Sequence, residues 1–138
     1  MKEISIVIPV YNSHECVSEL SRQIEDAMTS KDISYEQIMV NDCSKDSSWL
    51  EIKKEAQKNQ NIFGINLRKN SGQDSAILTG LNYTNAKWIV IMDDDLQHSP
   101  YDIIKLYEEA KKGFDVVYGN FYSKKQKLWK NIGSWFNG

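Results

Sequence analysis

Cysteine and proline are scarce in this chain of 138 residues, with two of each. Cys16 and Cys43 cannot build a disulfide framework or, by themselves, a four-ligand zinc site, and both are expected to be reduced thiols of a cytoplasmic protein. Long hydrophobic runs are missing too. The longest, Trp88-Ile89-Val90-Ile91-Met92, falls far short of the ~20 residues that span a bilayer. Met1-Lys2-Glu3 leads directly into a strand pattern, with no apolar signal core or small-residue cleavage site, so no export signal is expected. Repeats, low-complexity segments and linkers are also lacking. What remains is ordinary: 41% hydrophobic and 26% charged residues exclude a disordered or collagenous chain. The length suits one domain, which buries roughly two-thirds of its unfolded surface.

Net charge is only −2, but its distribution is uneven. Residues 1–120 carry 13 Lys and Arg against 19 Asp and Glu, a balance of −6. Residues 121–138 hold Lys124, Lys125, Lys127 and Lys130 and no acid. A nucleic-acid-binding domain would be basic on one face, so nucleic acid is not an expected partner. The basic tail is expected to serve something anionic, either a diphosphate or a membrane surface.

Strand and helix signals alternate. Residues 4–8 are β-branched and alternating, and Pro9 is expected to stop that strand because it cannot donate to a ladder. Val17, Leu20, Ile24 and Met28 recur at helical spacing after Asn12-Ser13. A second strand is expected over 35–40, then a helix from about Ser47 with Ser48 and Glu51 at capping-box spacing. A third strand follows at 61–67, and a helix at 72–83 with Ala76, Ile77, Gly80 and Leu81 on its inner face. The apolar run 88–92 reads as a strand covered on both faces. Ser99-Pro100 opens a helix that ends at Gly113, ahead of a fifth strand at 114–118. This order predicts an α/β fold with a mostly parallel, doubly wound sheet. Leu128, Trp129, Ile132, Trp135 and Phe136 mark an amphipathic segment at the end, its aromatics assigned to packing.

Open parallel sheets bind ligands at the carboxyl ends of their strands. Polar groups gather at those ends: Tyr11-Asn12 after the first strand, Asn41-Asp42-Cys43-Ser44 after the second, Arg68 to Gly72 after the third, Asp93 to His98 after the fourth. Three consecutive carboxylates repel one another unless a cation neutralises them. In an extended chain Asp93, Asp95 and Gln97 share one face and Asp94 takes the other. Two carboxylates and an amide oxygen suit Mg²⁺ or Mn²⁺ better than Zn²⁺. The competing reading is an acidic turn capping the Ser99 helix. His98 is a candidate ligand or a neighbour of the ligands, Asp42 a nucleotide contact or a turn cap, and Arg68-Lys69 before Gly72 a weak anion site.

Ser5 to Asn12, Val40 to Ser47, Asn70-Ser71-Gly72 with Ala76 and Gly80, and Met92-Asp93-Asp94-Asp95-Leu96-Gln97 together resemble family 2 glycosyltransferases of the GT-A fold. The Asp-x-Asp-Leu-Gln form is similar to the branch of dolichol-phosphate mannose synthase and bacterial polyprenyl-phosphate glycosyltransferases. The resemblance runs from Ile4 to Gly119. It implies that Pro9, Tyr11, Asp42, Asp93 and Asp94 hold a nucleotide-sugar, with UDP-sugar favoured over GDP-sugar. It implies Asp93, Asp95 and Gln97 as ligands of Mg²⁺ or Mn²⁺, and an inverting displacement. Where relatives often carry a phosphate-binding arginine, this chain has Lys124 and Lys125, point charges rather than a fork.

The expected organisation is a nucleotide-sugar-binding GT-A subdomain at 1–120 and a basic amphipathic segment at 121–138 that starts an acceptor half. Family catalytic domains are roughly twice this length, so the chain is expected to be the donor-binding part, with the catalytic base elsewhere. The acceptor would be a polyprenyl phosphate or glycan in cell-envelope synthesis, and the location the cytoplasmic face of the membrane. Two other classes share this type of sheet. A receiver-type signalling module would place paired acids after its first strand, where Pro9-Val10-Tyr11-Asn12 stands. A nucleotidyltransferase would carry a glycine- and arginine-rich loop there.

Overall fold

Strand and helix alternate throughout the computed structural model, which describes residues 1–117. The elements are β1 (Lys2–Val10), α1 (His14–Ser30), β2 (Tyr35–Asn41), α2 (Ser48–Lys58), β3 (Ile62–Asn66), α3 (Gln73–Leu81), β4 (Ala86–Ile91) and α4 (Tyr101–Ala110). The strands form one sheet in the order β3-β2-β1-β4, and each neighbouring pair is parallel. The chain first builds outward from β1 to β3. It then returns to the far side of β1 with β4, which makes the gap between β1 and β4 the topological switch point.

The two-residue period of β1 divides the core. Ile4, Ile6, Ile8 and Val10 are buried against α1, α2 and α4, with Val17, Leu20, Ile24, Ile52 and Ile103 in the same cluster. Val7 points the other way and packs with Ile77 and Ile91, while Ile38 and Val40 pack with Ala76. Helix α3 therefore covers this second face, on the inner residues expected from the sequence. It approaches closely at Gly80, where a Cβ would meet Val7 Cγ1 at 2.6 Å and Val40 Cγ2 at 3.1 Å.

Four expectations need correction. Pro9 does not end β1; it pairs with Val40 inside the strand. The carbonyl of Val7 faces β4 and that of Val10 faces β2, so the nitrogen of Pro9 points toward β4, beyond the last ladder pair there, Val7 with Ile91. Its missing N–H therefore leaves no ladder bond unmade. Strand β4 is not covered on both faces: Trp88 and Val90 pack against the α1-side core, but Ile89 is 48% exposed. Helix α3 lies mainly over β1 and β2 and meets β4 at Ile91, near its carboxyl end. The Ser48–Glu51 capping box is not formed. Ser48 is already helical, and Asp46 Oδ1 accepts its N–H at 2.9 Å. Finally, residues 114–117 are not a strand, and Phe114 and Val116 are exposed after the turn at Gly113 (φ 109°). Tyr118 and the amphipathic segment at 121–138, with its lysines and aromatics, lie outside the described residues. Ser99 does behave as expected, its Oγ accepting the Tyr101 N–H at 3.2 Å beside a helical Pro100. No helix among the described residues is long and apolar enough to cross a membrane.

Candidate active site

The loops at the carboxyl ends of the strands enclose a cleft of about 390 Å³. Pro9, Val10 and Tyr11 enter it from β1, Asp42 from β2, Asn70, Gly72 and Gln73 from the start of α3, and Asp93, Asp94 and Asp95 from β4. Its size is that of a small-molecule site. The loops that build it turn through left-handed backbone at Asn12 (φ 50°), Cys43 (φ 55°), Gly72 (φ 92°) and Leu96 (φ 61°). Strain at non-glycine residues concentrates around functional loops.

Asp42 is buried, and both its oxygens are engaged: Oδ1 accepts the Ser71 N–H at 2.7 Å and Oδ2 the Gly72 N–H at 3.0 Å. It caps a turn, as one reading allowed, but that of the loop before α3 and not its own. Tyr11, 42% exposed, also lines the cleft. Asp93 is nearly buried and accepts a hydrogen bond from Gln73 Nε2 at 3.1 Å. Burial, with the charges of Asp95 and Asp94 beside it, pushes its pKa up to about 6. Asp94 Oδ2 accepts the Tyr11 N–H at 3.1 Å and the Ser13 hydroxyl at 2.6 Å. Burial raises its pKa, and these two bonds oppose the rise.

The extended-chain grouping of Asp93, Asp95 and Gln97 does not hold. The chain bends at 94–96, and all three aspartates line the cleft together. Gln97 is exposed and outside the lining, and its N–H closes the bend onto Asp95 Oδ1 at 3.1 Å. Among the described residues no three acidic, histidine or cysteine side chains form a ready-made metal cage. Asp93 and Asp95 on one cleft still fit Mg²⁺ or Mn²⁺. Mg²⁺ in particular takes one or two carboxylates and completes its shell with water and phosphate oxygens. His98 is close enough to lower the Asp93 pKa slightly. Arg68 and Lys69 are exposed and do not line the cleft. Lys124 and Lys125 lie outside the described residues.

Sequence reasoning missed Gln73 and Ser13. Gln73 follows a glycine at a helix start, a position that aims a side chain at the strand ends. Ser13 was legible only as a polar helix start.

A doubly wound parallel sheet with an acidic cleft at its switch point is an architecture built for nucleotides. The chain belongs to glycosyl transferase family 2, whose sequence model matches residues 5–136. Solved structures share the fold. A mannosyltransferase from Pyrobaculum calidifontis, in complex with GDP-Man and Mn²⁺, superposes with TM-score 0.71 at 18% identity over 95% of this chain and 38% of its own. Glucosyl-3-phosphoglycerate synthase from Mycobacterium tuberculosis, with Mn²⁺, UDP and glucosyl-3-phosphoglycerate, gives 0.66 at 17% identity over 83% and 42%. TarS from S. aureus with UDP-GlcNAc gives 0.64 at 19% identity over 90% and 38%. The chain thus spans about two-fifths of the length of these structures. The GT-A fold expected from the resemblance is the fold observed, and family membership replaces the receiver and nucleotidyltransferase readings.

Proposed function

We propose that this chain provides the donor-binding part of a metal-dependent glycosyltransferase. The enzyme would move a sugar from a nucleoside-diphosphate donor to a polyprenyl-phosphate or glycan acceptor in cell-envelope polysaccharide synthesis. The observation that carries the reading is the convergence of Pro9, Tyr11, Asp42 and the three aspartates 93–95 on one cleft at the switch point. Residues 1–120 are assigned to the donor, and 121–138 to the start of the acceptor half. The Asp-x-Asp-Leu-Gln form supports the dolichol-phosphate mannose synthase and polyprenyl-phosphate branch.

In this reading Pro9 and Tyr11 form the wall against which the base and ribose lie. Asp42 holds the loop 70–72 in place and offers its remaining lone pairs to the nucleotide. Asp93 and Asp95 would hold Mg²⁺ or Mn²⁺, with Gln97 as the further oxygen ligand that the resemblance implies. The ion, when bound, neutralises the diphosphate as it leaves the anomeric carbon. The acceptor oxygen then attacks that carbon in line, with inversion, while its proton passes to a base outside the described residues. Lys124 and its neighbours are proposed to face the diphosphate or an anionic membrane at its cytoplasmic side. UDP-sugar is the preferred donor, since two of the three solved structures named above hold uridine nucleotides and one a guanosine nucleotide.

Calorimetric titration of UDP and GDP, with Mn²⁺ and with chelator, tests the reading in wild type and Asp95→Asn. Wild type with Mn²⁺ should bind at least about tenfold more tightly than the other combinations, a difference of about 1.4 kcal/mol. Equal affinity throughout removes the metal role. Binding to liposomes that ignores both anionic lipid and salt removes the membrane assignment of the tail.

A further inference from the structure

We propose that Asp94 is a positioning residue: it clamps the β1–α1 loop, and with it Tyr11, to the acidic turn after β4. The consequence for ligand affinity rests on the donor-site reading above; the clamp itself does not.

Three observations converge on it. First, Asp94 Oδ2 accepts two hydrogen bonds from that one loop, the Tyr11 N–H at 3.1 Å and the Ser13 hydroxyl at 2.6 Å. Each of the three aspartates gives one oxygen to a protein donor, but Asp93 gives its to Gln73 and Asp95 to its own turn, whereas Asp94 alone of the three gives its to the loop after β1. Second, Ser13 occupies the N-cap position of α1 yet makes no side-chain cap bond to the helix. A serine there ordinarily accepts an N–H of the first turn. Here its hydroxyl lies within the loop, 3.1 Å from the Tyr11 carbonyl, and donates at 2.6 Å to Asp94, 81 residues away. Departures of this kind from local rules gather at functional sites. Third, the loop is anchored on its other side as well. The Ser13 N–H donates to Ser48 Oγ at 2.9 Å, and Ser48 Oγ donates to Asp46 Oδ1 at 2.5 Å. Asn12 holds the following loop through Lys45 N–H at 2.8 Å.

The loop that carries Tyr11 is thus fixed between Asp94 and the start of α2. The Asp94 contact ties it across the switch point to the turn after β4. The acidic triplet divides its labour: Asp93 and Asp95 remain for the cation, and Asp94 sets the distance between Tyr11 and that pair.

Because one oxygen takes both bonds, an asparagine can replace Asp94 in the clamp but not as an anionic ligand. The test measures amide hydrogen exchange at Tyr11 by NMR in the unliganded chain, and Mn²⁺-supported UDP and GDP affinity by calorimetry. The variants are Asp94→Asn, Asp94→Ala and Ser13→Ala. Asp94→Ala should speed Tyr11 exchange and weaken nucleotide binding, each by tenfold or more. Asp94→Asn should stay within about threefold of wild type in both, a difference of roughly 0.65 kcal/mol. Ser13→Ala, which keeps the Tyr11 bond and remains informative if Asp94→Ala does not fold, should fall between. Unchanged Tyr11 exchange in both alanine variants overturns the clamp. So does an Asp94→Asn chain with protected Tyr11 but an affinity as low as that of Asp95→Asn, since Asp94 would then act directly on the ligand. If wild type binds neither nucleotide, the donor-site reading fails, and Tyr11 exchange decides the clamp alone.

Discussion

The two ends of the sheet use carboxylates in opposite ways. At the amino end, Glu3 and Glu36 stand apart, each with its own donors. Glu3 accepts the Ser34 N–H at 2.9 Å and the Tyr107 hydroxyl at 2.8 Å, and these bonds, that from Ser34 foremost, lower its pKa. Glu36 is buried and accepts the Ser5 hydroxyl together with the Asn85 N–H at 2.7 Å, joining β1, β2 and the approach to β4. At the carboxyl end, Asp42 and Asp93 to Asp95 share one cleft, and Asp93 is pushed up to about 6. Carboxylates matched one by one to donors hold the fold together. Asp93, buried beside two other carboxylates, opposes folding until something positive joins it.

Substitutions at Glu36 and at Asp93 should therefore differ in sign. The largest effect is expected at Glu36→Ala, which leaves the Ser5 hydroxyl and the Asn85 N–H without their acceptor. Unmade buried hydrogen bonds of this kind should cost about 3 kcal/mol in denaturant unfolding. A neutral result would mean that water replaces Glu36 and that the amino end is not the structural one.

Next in size comes Asp93→Asn, with the opposite sign. The amide removes the buried charge and its repulsion, so the metal-free variant should gain about 2 kcal/mol above pH 7. The pH dependence follows from the raised pKa. Between the ordinary value of 3.8 and about 6 the folded state binds more protons at Asp93 than the unfolded state. The contribution of Asp93 to stability therefore falls as pH rises through that window, and stays low above it. Asp93→Asn should abolish this component. Unfolding curves recorded with chelator across the window check it, and a destabilised variant would show that Asp93 belongs with Glu36.

The smallest effect is expected at Tyr107→Phe, which deletes only the hydroxyl bond to Glu3 while the Ser34 donors remain. Its denaturation midpoint should fall by less than that of Glu36→Ala. A larger fall would make Glu3 the main tie at the amino end.

The carboxyl-end half of this contrast could be anticipated from sequence, because local patterns carry the information directly. Alternating β-branched residues at 4–8 and the helical spacing of Val17, Leu20, Ile24 and Met28 are short-range signals, and they determined the element order and the parallel sheet. With strand order comes the carboxyl edge, so Tyr11, Asp42 and the triplet could be assigned to one site before any contact was known. Failures occurred where the outcome depended on a distant partner. Pro9 remains in its strand because the ladder to β4 has already ended, and Ile89 is exposed because α3 lies mainly over β1 and β2. The capping box yields to Asp46, which also holds His14, 32 residues away. The period-two face assignment at 93–97 fails at the left-handed Leu96, since parity holds only while a chain stays extended. Sequence alone therefore determined that Pro9, Tyr11, Asp42 and the triplet meet at the cleft, but not that Gln73 joins them or that Gln97 stays out. Only tertiary structure decided what each one touches there: Asp42 the loop before α3, Asp94 the loop after β1, and Gln97 neither, because those partners come from strands that pairing alone makes neighbours.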